Sequence, residues 1–476
     1  MNPTIKNELM GIDPEREVQI SREASSEEIW IDSMGEKRDL LIPPTVYRPR
    51  EDTTMLHRSL CKIKGNPGRL LEIGTGSGAI GTSMAEIGWD VCGIDINPLA
   101  IVSARGNHKN QGKFRTIELG IEEIGDDFEK LWDVITWNTP YLEVPKDVDE
   151  RLGPLEEAAL SWEGEHPIRK LIELANKPGM LRENGCIIAL ISPSKETNDE
   201  LSKAISEGWS IRTIDTRSQG GERTAVIALW KGWRWNPIKE KTVASTMTLL
   251  NKESQQGECI ISEEQTAGYG RNNSTWNSQK GDFTGTWKIS GPTPPILDIQ
   301  SIHMAASLAV INAISTWKGK GLEISTWTNP EYFDYSIKWP NDIICFSSKT
   351  KVAGMLLHAE SKGEEISISC GIGINSKPRI VEGEMRQGVS DTGLEGLETH
   401  LHRHLSSWFE NHKRVPDVDK KFLQRRWWNA ASDSQIIGKQ RKHYDDLCVV
   451  SKITDSGLEI YSKSGKKEIT GIEIHD

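Results

Sequence analysis

Five short apolar runs in the first half of the chain constrain the fold most: "RLLEIG" (69–74), "WDVCGID" (89–95), "LWDVITWN" (131–138), "GCIIALIS" (185–192) and "ERTAVIALW" (222–230). They alternate with stretches of ten or more residues of helical pattern, and none has the polar alternation of a strand with one wet face. Strands this apolar must be covered on both sides, which predicts a mostly parallel sheet with helices on both faces. The expected fold of this half is therefore a doubly wound, Rossmann-like α/β domain over 46–232. Residues 1–45 are acidic and polar with weak periodicity, and read as a short helical or loosely ordered lead-in.

One such domain does not use up 476 residues, so two or three units are expected. The segment "KGWRWNPIKEKTV" (231–243) interrupts the rhythm with Gly, Pro and four basic residues, and 233–241 reads as a linker. Beyond it the strand candidates "GECIISEEQT", "YSIKWPNDIICF", "KVAGMLLHAE" and "EISISCGIGIN" dominate, beside one long helix candidate, "IHMAASLAVINAISTW" (302–317). Strands with segregated helices predict an α+β domain over 242–428. The last residues, 429–476, alternate apolar and polar with turns at "TDSG" and "KSGKK", which predicts a small all-β domain.

No apolar run approaches the roughly 18 residues of a membrane span, and the first residues lack the apolar core of a secretory signal, so the chain is expected in the cytoplasm with no membrane partner. Seven scattered cysteines include no C-x-x-C and no Cys/His cluster at metal-ligand spacing. A formal net charge of -11 argues against electrostatic capture of bare nucleic acid. The many tryptophans read as packing residues, except Trp276 and Trp339, which sit in motifs.

"LLEIGTGSGAIG" (70–81) follows the first strand and opens a helix. Gly74, Gly76 and Gly78 allow a backbone to approach a ligand closely, with Glu72 just before them. Asp95 ends the next strand, where a carboxylate can accept hydrogen bonds from two ribose hydroxyls. The glycines alone fit a nicotinamide-dinucleotide enzyme as well as a methyltransferase, or a merely tight turn. "NTPY" (138–141) lies just past the third apolar strand, at the edge where open sheets bind ligands. There the Asn138 side-chain oxygen and the carbonyl of residue 139 can hold the two hydrogens of a poorly nucleophilic amide or aryl amine, and orient its nitrogen toward a methyl donor. Pro140 stiffens the turn and Tyr141 offers a flat face.

With "VYRPREDT" (46–53) ahead of the glycine loop, residues 45–232 resemble the S-adenosylmethionine-dependent methyltransferases that modify a glutamine N5 of class I peptide-chain release factors, in their archaeal and eukaryotic branch. The resemblance implies S-adenosylmethionine as cofactor, a release factor as substrate, and a small activator subunit as a further partner. It assigns Gly74, Gly76 and Asp95 to the cofactor, and Asn138, Pro140 and Tyr141 to the target glutamine. Two departures stand out. The family usually has N-P-P-Y where Thr139 stands here, which leaves an extra N–H needing a partner. The family's Gly-Gly-containing segment appears only as "SWEGEHPI" (161–168).

In the second half "GYGRNNSTW" (268–276) is a Gly-bearing polar loop able to close over a ligand, with Arg271 to meet a phosphate and Trp276 to stack on a base. "KWPND" (338–342) brings Lys338 and Asp342 to a Pro-stiffened strand end, and "KVAG" (351–354) adds Lys351 beside Gly354. Two cations and a magnesium-holding carboxylate are what activation of a carboxylate by ATP requires.

Together with "ASTM" (244–247), "EEQTAGYGR" (263–271) and "GIGIN" (371–375), these motifs resemble the biotin protein ligases in order and spacing over 237–476. The resemblance implies ATP, biotin and Mg2+, a biotinyl-AMP intermediate, and a biotin carboxyl carrier domain as the second substrate. It places Ser245, Thr246, Gln265 and Gly268 at the biotin ureido group, and Arg271 and Lys351 at the carboxylate and phosphate. Trp276 and Asn375 would touch the nucleotide, with Gly354 and Gly373 also lining the site, and Asp342 would bind magnesium. Tyr269, Asn273 and Ser274 depart from the family's more cationic G-R-G-R-x-G-R-x-W. Nothing before residue 237 resembles the helix-turn-helix of repressor-type ligases, so no DNA-binding repressor domain is expected. The alternative is an active ligase fused to a non-catalytic or adenine-N6-directed methyltransferase-like module; a lipoate ligase in the second half is a third reading.

Overall fold

The computed structural model describes residues 24–475 apart from 110–111, 141, 144–159, 162–165, 220–221, 235, 252, 271–274, 277, 292–296, 321, 323–333, 340, 363–364, 382, 391, 433–439, 444–445, 455–457 and 470–473. The chain divides into two compact units, one made of residues 1–201, 211–230 and 411–417, the other of 202–210, 231–410 and 418–476.

The first unit opens with strands β1 (Ser26–Ile31) and β2 (Lys37–Ile42), paired antiparallel, and helix α1 (Glu51–Leu60). There follow β3 (Arg69–Ile73), α2 (Ala79–Glu86), β4 (Asp90–Asp95), α3 (Pro98–Asn107), β5 (Lys113–Glu118) and β6 (Trp132–Asn138). After the two-residue strands β7 (Leu142–Glu143) and β8 (Leu160–Ser161) come α4 (Pro167–Asn176), β9 (Leu181–Ile191), α5 (Lys195–Ser206), β10 (Trp209–Gln219) and β11 (Glu222–Lys231). The sheet order is β10-β11-β9-β6-β3-β4-β5. Strands β3, β4, β5, β6 and β9 pair in parallel, and β11 runs antiparallel to β9. From β3 the chain winds outward to β5 and then returns to β6 on the other side of β3. The carboxyl ends of β3 and β6 therefore flank the switch point at which an open α/β sheet leaves a crevice.

The apolar runs behave as their composition requires: Leu70, Val91, Val134, Ile188 and Val226 are fully buried in one core. The lead-in does not behave as expected. Residues 26–42 form a hairpin rather than a helix, because "SEEIWI" and "KRDLLI" have a period of two, not 3.6. Trp30, Leu40 and Ile42 enter the core, whereas Ile29, Ile31 and Leu41 on the other face are exposed. Asn107 of α3 clips the hairpin in place, its Oδ1 accepting from Leu41 N at 2.8 Å. Strand β5, which has no apolar run, is the sheet edge and buries only Thr116.

In the second unit Ile238–Val243, largely within the residues read as a linker, forms β12, an exposed edge strand parallel to β13 (Cys259–Gln265). Strands β14 (Gly268–Tyr269), β15 (Thr275–Trp276) and β16 (Phe283–Ser290) precede α6 (Ile299–Trp317). Then come β17 (Tyr335–Lys338), β18 (Asp342–Cys345), β19 (Lys351–Lys362), β20 (Glu365–Ile374), β21 (Arg379–Val381) and β22 (Glu384–Arg386). The main sheet runs β12-β13-β16-β20-β19-β18-β17, with β22 beside β19 and β21. Helices α7 (Leu397–Phe409) and α8 (Lys420–Ser432) pack with α6, and Trp287, Ile372 and Met355 lie in the core that the helices share with the sheet.

By length and composition α6 could cross a membrane, although no such run was expected; 89% of its apolar window is buried, and it is apolar all round because it is the central helix of this core. Strands β23 (Gln440–His443), β24 (Asp446–Ile453), β25 (Leu458–Ser462), β26 (Gly465–Ile469) and β27 (Ile474–His475) make the small all-β sheet foreseen at the C-terminal end. Trp339 proves to be a packing residue. Its ring meets Trp427 edge to face at 5.3 Å and rests on the apolar cluster of Cys448, Val450, Leu458 and Ile460.

Candidate active sites

The loop after β3 is built by three glycines with left-handed backbone, at φ of 64°, 54° and 74° for Gly74, Gly76 and Gly78, which side chains rarely tolerate. Gly74 is exposed and Gly76 half-buried at the open edge. Gly78 lies beneath, where an added Cβ would fall 2.8 Å from Ala104; it lets α2 pack close to α3 and does not face the crevice. Glu72 is likewise turned inward. Its Oε2 accepts from Thr75 Oγ1 at 2.6 Å, and burial pushes its carboxyl up to about 8, so it braces the loop from below. Asp95, at the end of β4, accepts the N–H of Gly76 and the N–H of Asn97, each at 2.9 Å, one on either oxygen. A carboxylate has further acceptor capacity for hydroxyls. Burial raises its pKa, and the two backbone bonds oppose the rise.

Asn138 ends β6 across the switch point. Its Nδ2 donates to Asp52 Oδ2 at 2.9 Å, while its Oδ1 is buried without a hydrogen-bond partner among the described residues. Thr139 is buried, and both its N–H and its hydroxyl donate to the Leu190 carbonyl. The extra N–H left by the absent proline thus has a partner. Pro140 is half-buried beside it, and Tyr141 lies outside the described residues. Two further residues, to which no motif assigns a role, stand at this site. Trp137 lies against Gly74, with its Nε1 3.2 Å from where a Cβ would be, and Asp52 holds Asn138.

In the second unit a cavity of about 350 Å³ gathers residues from motifs more than a hundred positions apart. Its walls carry Ser245, Thr246, Gln265, Trp276, Asp342, Lys351 and Asn375. The floor is a patch of the sheet left bare by Gly354 and Gly373 on adjacent strands. Asp342 pairs with Gly354, Gly354 with Gly373 and Gly373 with Thr284 across four neighbouring strands. Trp276, set by the short β14–β15 pairing, lies on this floor, and a Cβ at Gly373 would fall 2.2 Å from its ring. Its Nε1 is buried without a partner among the described residues. Lys351 Nζ stands 5.5 Å from the Trp276 ring and 2.7 Å from Asp342 Oδ1.

At the other end Thr246 N donates to Gln265 Oε1 at 2.9 Å, and the hydroxyls of Thr246 and Thr286 meet at 2.7 Å. Two expected residues lie off the cavity wall, and a third, Asn375, lines it with its polar atoms engaged elsewhere. Lys338 is exposed and is not part of the cavity wall. Gly268 is buried under Trp276. Asn375 spends its Nδ2 on the carbonyls of Lys351 and Gln387 and its Oδ1 on Arg379, so it braces the strand that carries Lys351. Arg271 lies outside the described residues.

Residues 240–375 match the biotin/lipoate A/B protein ligase family. Over 144 residues the chain is 30% identical to the bifunctional ligase/repressor BirA of Bacillus subtilis, covering 30% of this chain but 39% of that protein. Over 198 residues it is 28% identical to a protein of Methanocaldococcus jannaschii provisionally named an N5-glutamine methyltransferase, covering 40% of this chain and 95% of that one. Among solved structures, a biotin protein ligase from Aquifex aeolicus in complex with biotin and ATP is 22% identical, covering 50% of this chain and 97% of that chain at a TM-score of 0.38. The chain joins a half similar to glutamine methyltransferases to a half similar to biotin/lipoate protein ligases.

In the ligase domain the sequence left Asn341, Arg379 and Arg386 without a role. Asn341 clips the "KWPND" turn to β19 through Met355, accepting its N–H at 2.8 Å and donating Nδ2 to its carbonyl at 2.9 Å. Arg379 pairs with Asp282, whose side chain is fully buried, and Arg386 stands beside Lys351 in the β22–β19 pairing; both line the cavity. Asn341 was legible, since it lies inside a motif. The two arginines follow "GIGIN" in a segment with no regular spacing.

Proposed function

We propose that the chain is a two-site enzyme that methylates a glutamine amide of a peptide-chain release factor and biotinylates a lysine of a biotin carboxyl carrier domain. One observation supports each half. In the methyltransferase-like half it is Asn138 Oδ1, a buried acceptor without a partner among the described residues, at the mouth of the glycine-loop crevice. In the ligase half it is the convergence of five separated motifs on one cavity.

S-adenosylmethionine supplies an electrophilic methyl group when bound, and Gly74, Gly76 and Asp95 would hold it. Asn138 Oδ1 and the Thr139 carbonyl would take the two hydrogens of a primary amide, turning its lone pair toward the methyl. Methyl transfer would form the new C–N bond as the S–C bond breaks, leaving S-adenosylhomocysteine, and the amide nitrogen would shed one proton to solvent. Thr139 is anchored by Leu190, which supports an active site over a merely binding module. An exocyclic adenine amine presents the same pair of hydrogens and is the competing acceptor.

In the ligase domain Ser245, Thr246 and Gln265 offer the hydroxyls and amide that a ureido group needs. The biotin carboxylate would attack the α-phosphorus of ATP and expel pyrophosphate, and the carrier lysine would then displace AMP. Lys351 would offset the charge that builds at phosphorus. Among the described residues no group of three or more His, Cys, Asp or Glu could hold a metal, so Mg2+ would rest on Asp342, with phosphate oxygens and water completing its shell.

Mass spectrometry of a recombinant release factor and a biotin carrier domain, incubated with this protein, ATP, Mg2+, biotin and S-adenosylmethionine, tests both halves. The expected products are one methylated glutamine and one biotinylated lysine. In a parallel incubation with lipoate and DNA added, lipoate in place of biotin on the carrier, or methyl groups on adenine and none on the release factor, would replace the corresponding half of the proposal. Asn138→Ala should abolish methylation and spare the biotin.

A further inference from the structure

Asp52 lies in the first turn of α1, 86 residues from Asn138, and its side chain does more than begin a helix. At the start of α1 it is Oδ1 that accepts from Thr53 N at 2.7 Å and from Thr53 Oγ1 at 3.3 Å. Oδ2 is spent elsewhere, on Tyr47 Oη and on Asn138 Nδ2, both at 2.9 Å. The residue is 5% exposed. Oδ2 already takes the Tyr47 hydroxyl, so it meets Asn138 as an acceptor. Facing it, the Asn138 amide has one sensible orientation, with the NH2 on Asp52 and the oxygen turned away.

An asparagine amide has two nearly isosteric orientations, and only one of them presents an acceptor to a substrate N–H. The oxygen that Asp52 turns away is the buried Oδ1 that has no partner among the described residues. The flipped amide would present NH2 to the NH2 of the incoming substrate, a donor against a donor, and would set Oδ1 against the Asp52 carboxylate. We infer that Asp52 is a positioning residue for methyl transfer, acting through Asn138 by fixing which end of its amide meets the acceptor nitrogen. Tyr47 secures the carboxylate, so the pair belongs to "VYRPREDT" and gives that segment a mechanistic reason to precede the glycine loop. The inference rests on the methyltransferase reading above.

The test uses the full chain and the near-isosteric Asp52→Asn, which can either accept from or donate to Asn138 and so permits both orientations. Methyl transfer to the release factor at saturating S-adenosylmethionine should fall on the order of tenfold or more, with S-adenosylmethionine affinity changed less than about twofold, because lost orientation slows the step without weakening donor binding. In the Asn138→Ala background the same change should cost nothing further.

A substrate-independent measurement accompanies these. The side-chain 1H–15N pair of Asn138, identified by its loss in Asn138→Ala, should shift or broaden in Asp52→Asn. An unchanged pair of signals, or a normal rate in a wild-type-competent assay, overturns the inference. So does a matched loss of rate and cofactor affinity, which would mark a merely structural role. If wild-type protein does not methylate the release factor, the functional proposal fails by itself, and the Asn138 signals still decide whether Asp52 sets the amide.

Discussion

Thr139 donates its backbone N–H and its hydroxyl to the same acceptor, the carbonyl of Leu190, at 3.2 and 2.7 Å. The N–H bond carries the β6–β9 pairing one residue past Asn138, which is the last strand residue and itself sits opposite Leu190. A proline at this position would fix φ but remove that bond. This chain holds the end of β6 by sheet pairing instead of ring stiffness, and both devices present the residue-139 carbonyl from a fixed place.

Thr139→Val, which keeps the N–H, should lower stability by about 1 kcal/mol, whereas Thr139→Pro should cost about 1–3 kcal/mol, because the Leu190 carbonyl then loses both donors. Denaturant unfolding followed by a probe of the first unit reads the difference. Equal stability of Thr139→Pro and wild type would show that the pairing past Asn138 contributes nothing.

Glu72 predicts a pH dependence. Its folded pKa of about 8 lies above the ordinary value of 4.5 because burial disfavours the charge more than the Thr75 bond favours it, with Asp95 adding repulsion. Between those two values the folded chain holds a proton that the unfolded chain has released. Stability linked to this group is therefore fully present below about pH 4.5 and is lost as the pH rises toward 8, with a slope of at most about 1.4 kcal/mol per pH unit. Glu72→Gln should remove the slope, gaining on wild type at pH 8 and matching it near pH 5. Parallel stability–pH curves for the two proteins would rule out a protonated Glu72.

How much of this was readable beforehand follows from the kind of signal each feature leaves. Leu70, Val134 and Ile188 announced the central sheet because strands covered on both faces are apolar throughout. The β1–β2 hairpin left only two six-residue alternations in an acidic setting, and edge strand β5 has a single buried residue. Asp52 was visible as part of a motif, but its use depends on a tertiary contact that no local pattern records. The ligase cations show the same limit. Lys338 and Lys351 stand in equally suggestive motifs, and only the fold reveals that Lys351 lines the cavity while Lys338 is exposed.

Lys351 and Asp342 form an ion pair across the cavity wall at 2.7 Å, each side chain about one quarter exposed. ATP and Mg2+ would replace that pair, the phosphate taking the ammonium and the metal taking the carboxylate. Lys351→Ala should slow pyrophosphate release on the order of a hundredfold. Asp342→Asn should chiefly raise the Mg2+ concentration needed for half-maximal rate. Asp342→Asn should leave biotin affinity nearly unchanged, since Asp342 is not at the Ser245–Thr246–Gln265 end. A Lys351→Ala enzyme that releases pyrophosphate at the normal rate would move the charge-stabilising role to Arg379 or Arg386.

Gly373 makes the sharpest steric prediction. Its φ is not in the left-handed region, so alanine would not strain the backbone there, yet a Cβ would lie 2.2 Å from Cε2 and Cζ2 of Trp276. No real contact is that short, and an indole is too rigid to bend aside, so Gly373→Ala must lift Trp276 off the floor together with the short β14–β15 pairing that carries it. The strand should stay folded while adenylation falls at least about tenfold, the size of effect that misplacing a ligand-facing group by an ångström produces. The double variant Gly373→Ala/Trp276→Ala separates this from a general loss of shape. If the clash is the cause, alanine at 373 adds nothing once the indole is gone, and the double variant matches Trp276→Ala alone. Additive losses in pyrophosphate exchange would mean that Gly373 faces the nucleotide directly and that Trp276 stands elsewhere when ATP is bound.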